Sequence, residues 1–239
     1  MYASIFGLRF CAGIPNSEYQ DIRSRQRSVQ PSEQYLGVQQ SQYTWAMAAA
    51  AGTALPAWSV RLIAELDAAD ERARELAVGL NAAQLNWQPA PDAWSVGQCL
   101  EHLCITNDVY LPAISSSLLG KPVSAVQDIK PGRFGRWFIR TYIEPSPQTK
   151  HARAPKKIVP GTRVEYSILD RFLRSNEAAR ELVCRARDHD VNRIRFRNPF
   201  IPVLRFTVGT GLEIMSAHER RHLLQAERTR QSPGFPINK

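Results

Sequence analysis

With 239 residues, the chain is long enough for one sizeable domain or at most two small ones. Its 44% hydrophobic and 22% charged residues suit a globular protein, and no apolar run approaches the roughly 20 residues of a membrane-spanning helix. The net charge of +9 is concentrated: between Lys121 and Lys157 nine Lys/Arg stand against Asp128 and Glu144, a basic loop segment that we expect to be solvated, so nucleic-acid binding is not expected.

The opening MYASIFGLRFCAGIP has no basic residue ahead of its apolar part and is interrupted by Arg9, so we do not expect a secretory signal. Residues 15–45 are rich in Ser, Gln, Arg and Tyr without a sustained apolar period, the composition of a disordered extension. Met47 follows, which makes residues 1–46 a candidate for a mis-assigned start. We therefore expect an N-terminal extension over 1–56, a folded domain over 57–232 and a tail over 233–239. The four cysteines (Cys11, Cys99, Cys104, Cys184) show no C-x-x-C pair or framework spacing, which points to reduced thiols and a cytoplasmic protein.

From residue 57, Trp58, Leu62, Ile63, Leu66, Ala69, Ala73, Leu76, Ala77 and Leu80 recur at helical spacing. The stretch LNAAQLNWQPAPDAW marks a break with its prolines. Ser95-Val-Gly-Gln98 has the form of a capping box and opens a second helix, to about residue 119, with Val96, Cys99, His102, Leu103, Val109 and Tyr110 on one face. The connection from Gly120 to Gly161 is long and holds FGRWFIRTYI (134–143), expected to be a short helix. A third helical period starts near Val164 and runs through Ile168, Phe172, Ala179, Leu182, Val183 and Ala186. Residues 191–209 form a proline-broken apolar connector. Thr210-Gly-Leu-Glu213 offers a second capping box, and a fourth helix is expected from there to Arg230, with Arg228 and Arg230 complementing its C-terminal dipole. Four such helices make an all-α four-helix bundle. The long second connection permits helices two and three to run parallel, in up-down-down-up order.

His218 and His222, in HERRH, lie four apart and so stack on one helix face. The stretch also matches the zinc-protease pattern H-E-x-x-H. Only 17 residues follow His222, with no histidine and the single acid Glu227, so a third protease ligand is not supplied downstream. His102 on the second helix is the best-placed upstream candidate. Three histidines with a fourth position open is an arrangement of catalytic zinc. The residues alone leave two readings open, a shared metal site or satisfied core and surface histidines.

PDAWSVGQCLEHL (91–103) and AHERRHLLQAER (217–228) together resemble the hallmarks of the DinB-like superfamily, which includes YfiT-type metal-dependent hydrolases. The resemblance covers roughly residues 57–232. It implies the up-down-down-up bundle and a divalent ion, zinc or nickel, held by His102, His218 and His222, with Trp94 as a packing anchor and Ser95 as a helix cap. The family includes transferases and isomerases that use low-molecular-weight thiols, and the fold does not choose among these activities.

Such a site suits either hydrolysis by metal-bound water or the activation of a thiol cosubstrate. For hydrolysis Glu219 is the candidate catalytic base, with a solvated surface position as the plain alternative; Glu213 is expected to serve the capping box and Cys99 to fill the core. The basic segment would help to receive an anionic substrate or a thiol cofactor if it folds over the metal end; Phe134, Trp137, Phe138 and Tyr142 are read as a hydrophobic seal ahead of a binding box, and cations paired with aromatics also allow an interfacial membrane contact. The expected partner is a small-molecule substrate, with a homodimer in keeping with such bundles. The alternative function is a non-catalytic bundle with a structural metal or none, serving in binding or stress response.

Overall fold

The computed structural model describes residues 55–146 and 154–236. The expected N-terminal extension lies almost wholly outside the described residues. Residues 55–239 form one compact unit, and all that follows concerns that unit.

Its first helix, α1 (Ala57–Ala77), buries the apolar stripe read from the sequence, including Trp58, Leu62, Leu66, Ala73 and Leu76. It stops before Gly79, whose φ of +80° turns the chain in a way that L side chains resist. A single turn, α2 (Ala82–Leu85), follows inside the expected break, held by a reciprocal Asn81–Gln84 capping box. The next helix, α3 (Val96–Leu118), starts at Ser95 as expected: the Ser95 hydroxyl accepts from the Gln98 amide, and the Gln98 side chain accepts from the Ser95 amide.

The long connection carries α4 (Arg133–Phe138), which passes into a π-helical turn over Ile139–Ile143, and then a 3₁₀ turn at Lys156–Ile158. Helix α5 (Ile168–Ala186) begins a few residues later than its apolar period, because Val164 is buried ahead of the first turn. The connector after it contains a short antiparallel hairpin, β1 (Arg195–Arg197) with β2 (Arg205–Thr207), in which Phe196 faces Phe206.

Strand β2 runs directly into the last helix, α6 (Val208–Arg230). This corrects the expected start at Thr210. The helix is capped by Thr207, whose hydroxyl accepts from the Thr210 amide. Glu213 is not a capping carboxylate; it forms an ion pair with Arg61 on α1. The reason is local: β2 delivers Thr207 in an extended conformation at the helix entrance, so the cap comes three residues earlier than the Thr-x-x-Glu pattern suggests.

Cross-helix bonds fix the directions. Arg61 meets Glu213, Ser216 meets Glu65 and Arg72 meets Glu227, so α1 and α6 run parallel. Thr229 bonds to Trp94, whereas Ile114 packs near Gly211, so α3 opposes α6. Gly97 approaches Val164 and Asp108 pairs with Arg171, so α5 runs with α3. The order is up-down-down-up. Around the bundle α1 and α3 are diagonal, each flanked by α5 and α6. The connection between α3 and α5 runs from the Ser124–Asp188 contact at one end to the Gly161–Glu101 contact at the other, climbing the bundle past α3.

The apolar core is filled by Leu100, Leu103, Phe172 and Leu223 from three helices, with Leu76 and Ala73 from α1. Cys99 and Cys104 are buried free thiols in the same core, so Cys99 is the expected filler. Burial pushes both thiols up, Cys104 to about 12, which keeps them protonated and unreactive. Among the described residues no helix is long and apolar enough to cross a membrane.

Candidate metal centre

His102 stands two turns into α3, and His218 and His222 stand one turn apart on α6, the antiparallel neighbour. The pairing of these two helices brings the three imidazoles together, with one ligand atom from each lying within 4.8 Å of the others. The Nε2 atoms face one another: His102 to His218 at 3.3 Å and His222 to His218 at 3.1 Å. Two tetrahedral ligands on zinc, each at about 2.0–2.1 Å, stand about 3.3 Å apart. The observed separations therefore fit a common ion.

The opposite ring nitrogens settle the protons. His102 Nδ1 lies 2.6 Å from the Ile158 carbonyl, to which it can only donate. His222 Nδ1 lies 2.9 Å from Gln225 Oε1; with the amide oxygen there, it donates as well. Both rings then present bare Nε2 lone pairs to His218 Nε2, which has at most one proton to give. One lone pair would be left facing another, and a cation at the centre removes that conflict. The second bond on each ring also fixes its tautomer and orientation, as around bound metals.

Electrostatics keep the site neutral without an ion. Burial pushes His218 down to about 3, with neighbouring His102 and Arg221 adding to the effect. Burial and the two other imidazoles hold His222 well below the usual range. Burial also lowers His102, against the opposing effect of its bond to the Ile158 carbonyl. Neutral imidazoles are the ligating form.

Trp94 lies against two of the rings, with centroids 4.7 Å from His102 and 5.5 Å from His222. It acts as the packing anchor expected of it, and Ser95, the next residue, starts the ligand-bearing helix. The cluster opens on a cavity of about 920 Å³ whose lining includes Phe134, Trp137, Tyr142, Phe200 and Arg221. The aromatic face of the long connection thus lines the cavity beside the three histidines; Phe134 and Trp137 remain 46% exposed, so this wall also meets solvent.

Glu219 sits elsewhere. One residue past His218, it is turned about 100° around the helix axis. It is 1% exposed, which removes the solvated alternative, and it does not line the cavity. Its carboxylate accepts from Asn107 at 3.5 Å and Asn176 at 3.3 Å; Asn176 also donates to Asp70 at 2.8 Å, and Asp70 pairs with Arg180. Burial raises Glu219 to about 8, opposed by its bond from Asn107 and assisted by Asp70. This polar network across the bundle was not anticipated. Its signal was present, since Asp70 and Asn176 interrupt apolar stripes at Leu66–Asp70–Ala73 and Phe172–Asn176–Ala179.

A family model for the DinB superfamily matches residues 65–226. The chain belongs to the DinB superfamily. No curated protein and no solved structure matches the chain. The matched span contains both helices that carry the three histidines.

Proposed function

We propose that the protein is a divalent-metal-dependent enzyme acting on a small molecule, with zinc or nickel held by His102, His218 and His222, and with thiol transfer as its chemistry ahead of hydrolysis. The observation that carries the proposal is the convergence of three Nε2 atoms, two on rings whose protons are engaged on the far side. When bound by three imidazoles, such an ion supplies an open position at which a thiol or water gives up its proton near neutral pH.

The chain's own residues do the rest. Ile158 and Gln225 keep the ligand lone pairs directed inward, Trp94 shields one side from water, and the aromatic wall receives the apolar body of an electrophile. The preference for a thiol rests on the carboxylates. Glu219 is engaged in the interior network, Glu213 is paired with Arg61, and Asp92 lies at the exposed part of the cavity lining. Among the described residues no carboxylate bonds a histidine of the cluster, and the carboxylate in the cavity lining is the exposed Asp92. A thiol, with an ordinary pKa near 8.5, needs less help than water. Its sulfur would bond to the electrophilic carbon as the leaving group departs with the electron pair and the thiol proton passes to solvent.

Elemental analysis of the full chain, with His102→Ala and His218→Ala alongside, tests the metal. Near-stoichiometric zinc or nickel in the parent and its loss in both variants is the expected result. Cobalt-loaded protein should then gain a sulfur-to-metal charge-transfer band on adding a small thiol at pH 7. Absence of that band would return hydrolysis to first place. No metal uptake, even with zinc and nickel supplied, would leave the non-catalytic bundle.

A further inference from the structure

Arg221 stands between the two α6 residues Arg220 and His222, and the three have different surroundings. Arg220 is neutralised by Glu65 at 2.7 Å and Glu144 at 3.5 Å. Arg221 lines the cavity beside the histidine cluster and is half-buried, yet among the described residues no carboxylate lies within ion-pairing distance of it. Its one hydrogen bond among the described residues is from Nη1 to the Tyr142 carbonyl, at 2.6 Å. A guanidinium has five N–H donors, so most of its capacity is unused by the protein.

A half-buried, unpaired cation is costly to keep unless something compensates it. The bond to Tyr142 orients the fork without neutralising it. The carboxylate in the cavity lining, Asp92, is exposed and does not pair with it. The surrounding walls are largely apolar, which strengthens any charge–charge attraction inside. A second group in the same cavity points the same way. Tyr110, another lining residue, has a buried hydroxyl with no hydrogen-bond partner among the described residues, a second polar group beside the cavity that these residues leave unmet.

We infer that Arg221 is an anion-binding residue of the cavity, and that the small molecule bound beside the histidines carries a carboxylate or similarly planar anionic group on an apolar body. This deepens the proposed function and rests on that reading for the cavity being the substrate site. The guanidinium accommodates a planar carboxylate with two parallel N–H···O bonds, which a lysine could not reproduce.

The test uses the full chain as purified, with its metal content measured. Calorimetric titration compares 3-phenylpropanoate with 3-phenylpropanamide, which match in shape and differ in charge. The acid should bind the parent about tenfold or more tightly than the amide. Arg221→Gln should abolish that preference while leaving amide affinity and metal content unchanged, and Arg221→Lys should restore only part of it. Equal affinities in the parent, or no binding of either compound, overturn the inference. So does an acid preference that survives Arg221→Gln, which would place the carboxylate on the metal. The two readings fail separately. A preference that depends on Arg221 in protein without metal sustains this inference and removes the metal enzyme; stoichiometric metal without a preference does the reverse.

Discussion

The half-buried His218 and the buried Glu219, adjacent on α6, respond to pH in opposite senses. For Glu219 the folded state keeps its proton up to about 8, whereas the free carboxyl loses it near 4.5. Between those values the native state binds more protons than the unfolded state, so this group's contribution to stability falls as pH rises through the window. Glu219→Gln removes the ionisation. Its stability relative to the parent should improve from pH 6 to pH 9 by on the order of 1–3 kcal/mol, read from urea midpoints at each pH. A difference that stays constant with pH would mean that Glu219 is charged throughout. For metal-free protein the histidines act the other way. Their folded values lie below the usual 6.5, so the unfolded chain takes up protons first and stability is lost as pH falls below 6.5, through His218 down to about 3. At this scale the cluster of His102, His218 and His222 was legible because imidazoles on apolar helix faces are rare and their spacing is periodic. The orientation of Glu219 was not, since adjacency to a ligand does not say which face of the helix a residue occupies.

Helix α6 is positioned by contact with the hairpin as well as by its stripe. A Cβ on Gly211 would lie 2.6 Å from the Phe196 ring and 3.1 Å from Ile114. Alanine gains about 1 kcal/mol in helix propensity over glycine, but overpacking of this kind costs about 1–3 kcal/mol. Gly211→Ala should therefore be neutral to destabilising, and Gly211→Val clearly destabilising, by about 2 kcal/mol or more in denaturant unfolding. A stabilised Gly211→Val would show that β1 gives way freely. The four long helices were legible because each carries an apolar stripe over five turns or more. The small elements were less so. The α2 turn contains too few residues for periodicity, although Asn81-x-x-Gln84 has the capping form. The three-residue strands depend on the Phe196–Phe206 pairing, which links residues ten apart and leaves little alternation to read. The cap at Thr207 was missed because Thr210 alone completes the Thr-x-x-Glu pattern, whereas Thr207 caps as a lone threonine that the incoming strand delivers in extended conformation.

Over the whole bundle, the order of the helices follows from the long connection, and so does part of the site. The same segment that lets α5 run parallel to α3 brings the Ile158 carbonyl to His102. The core formed by Leu100, Leu103, Phe172 and Leu223 does not depend on the histidines. Chelation should accordingly leave far-UV circular dichroism almost unchanged while lowering the melting temperature by on the order of 10 °C. Collapse of helical signal on chelation would instead mark the ion as structural. The bundle class was readable from stripe lengths, but the cavity was not, because its walls come from α3, α4, the connector and α6, segments with no shared sequence period. One further consequence concerns the order of synthesis. His102 and His218 are 116 positions apart, and of the four long helices described α6 is made last. Until that helix emerges a nascent chain can offer only one of the three imidazoles, so an ion held by all three would bind only after α6 is made, and its uptake would report that both helices are in place.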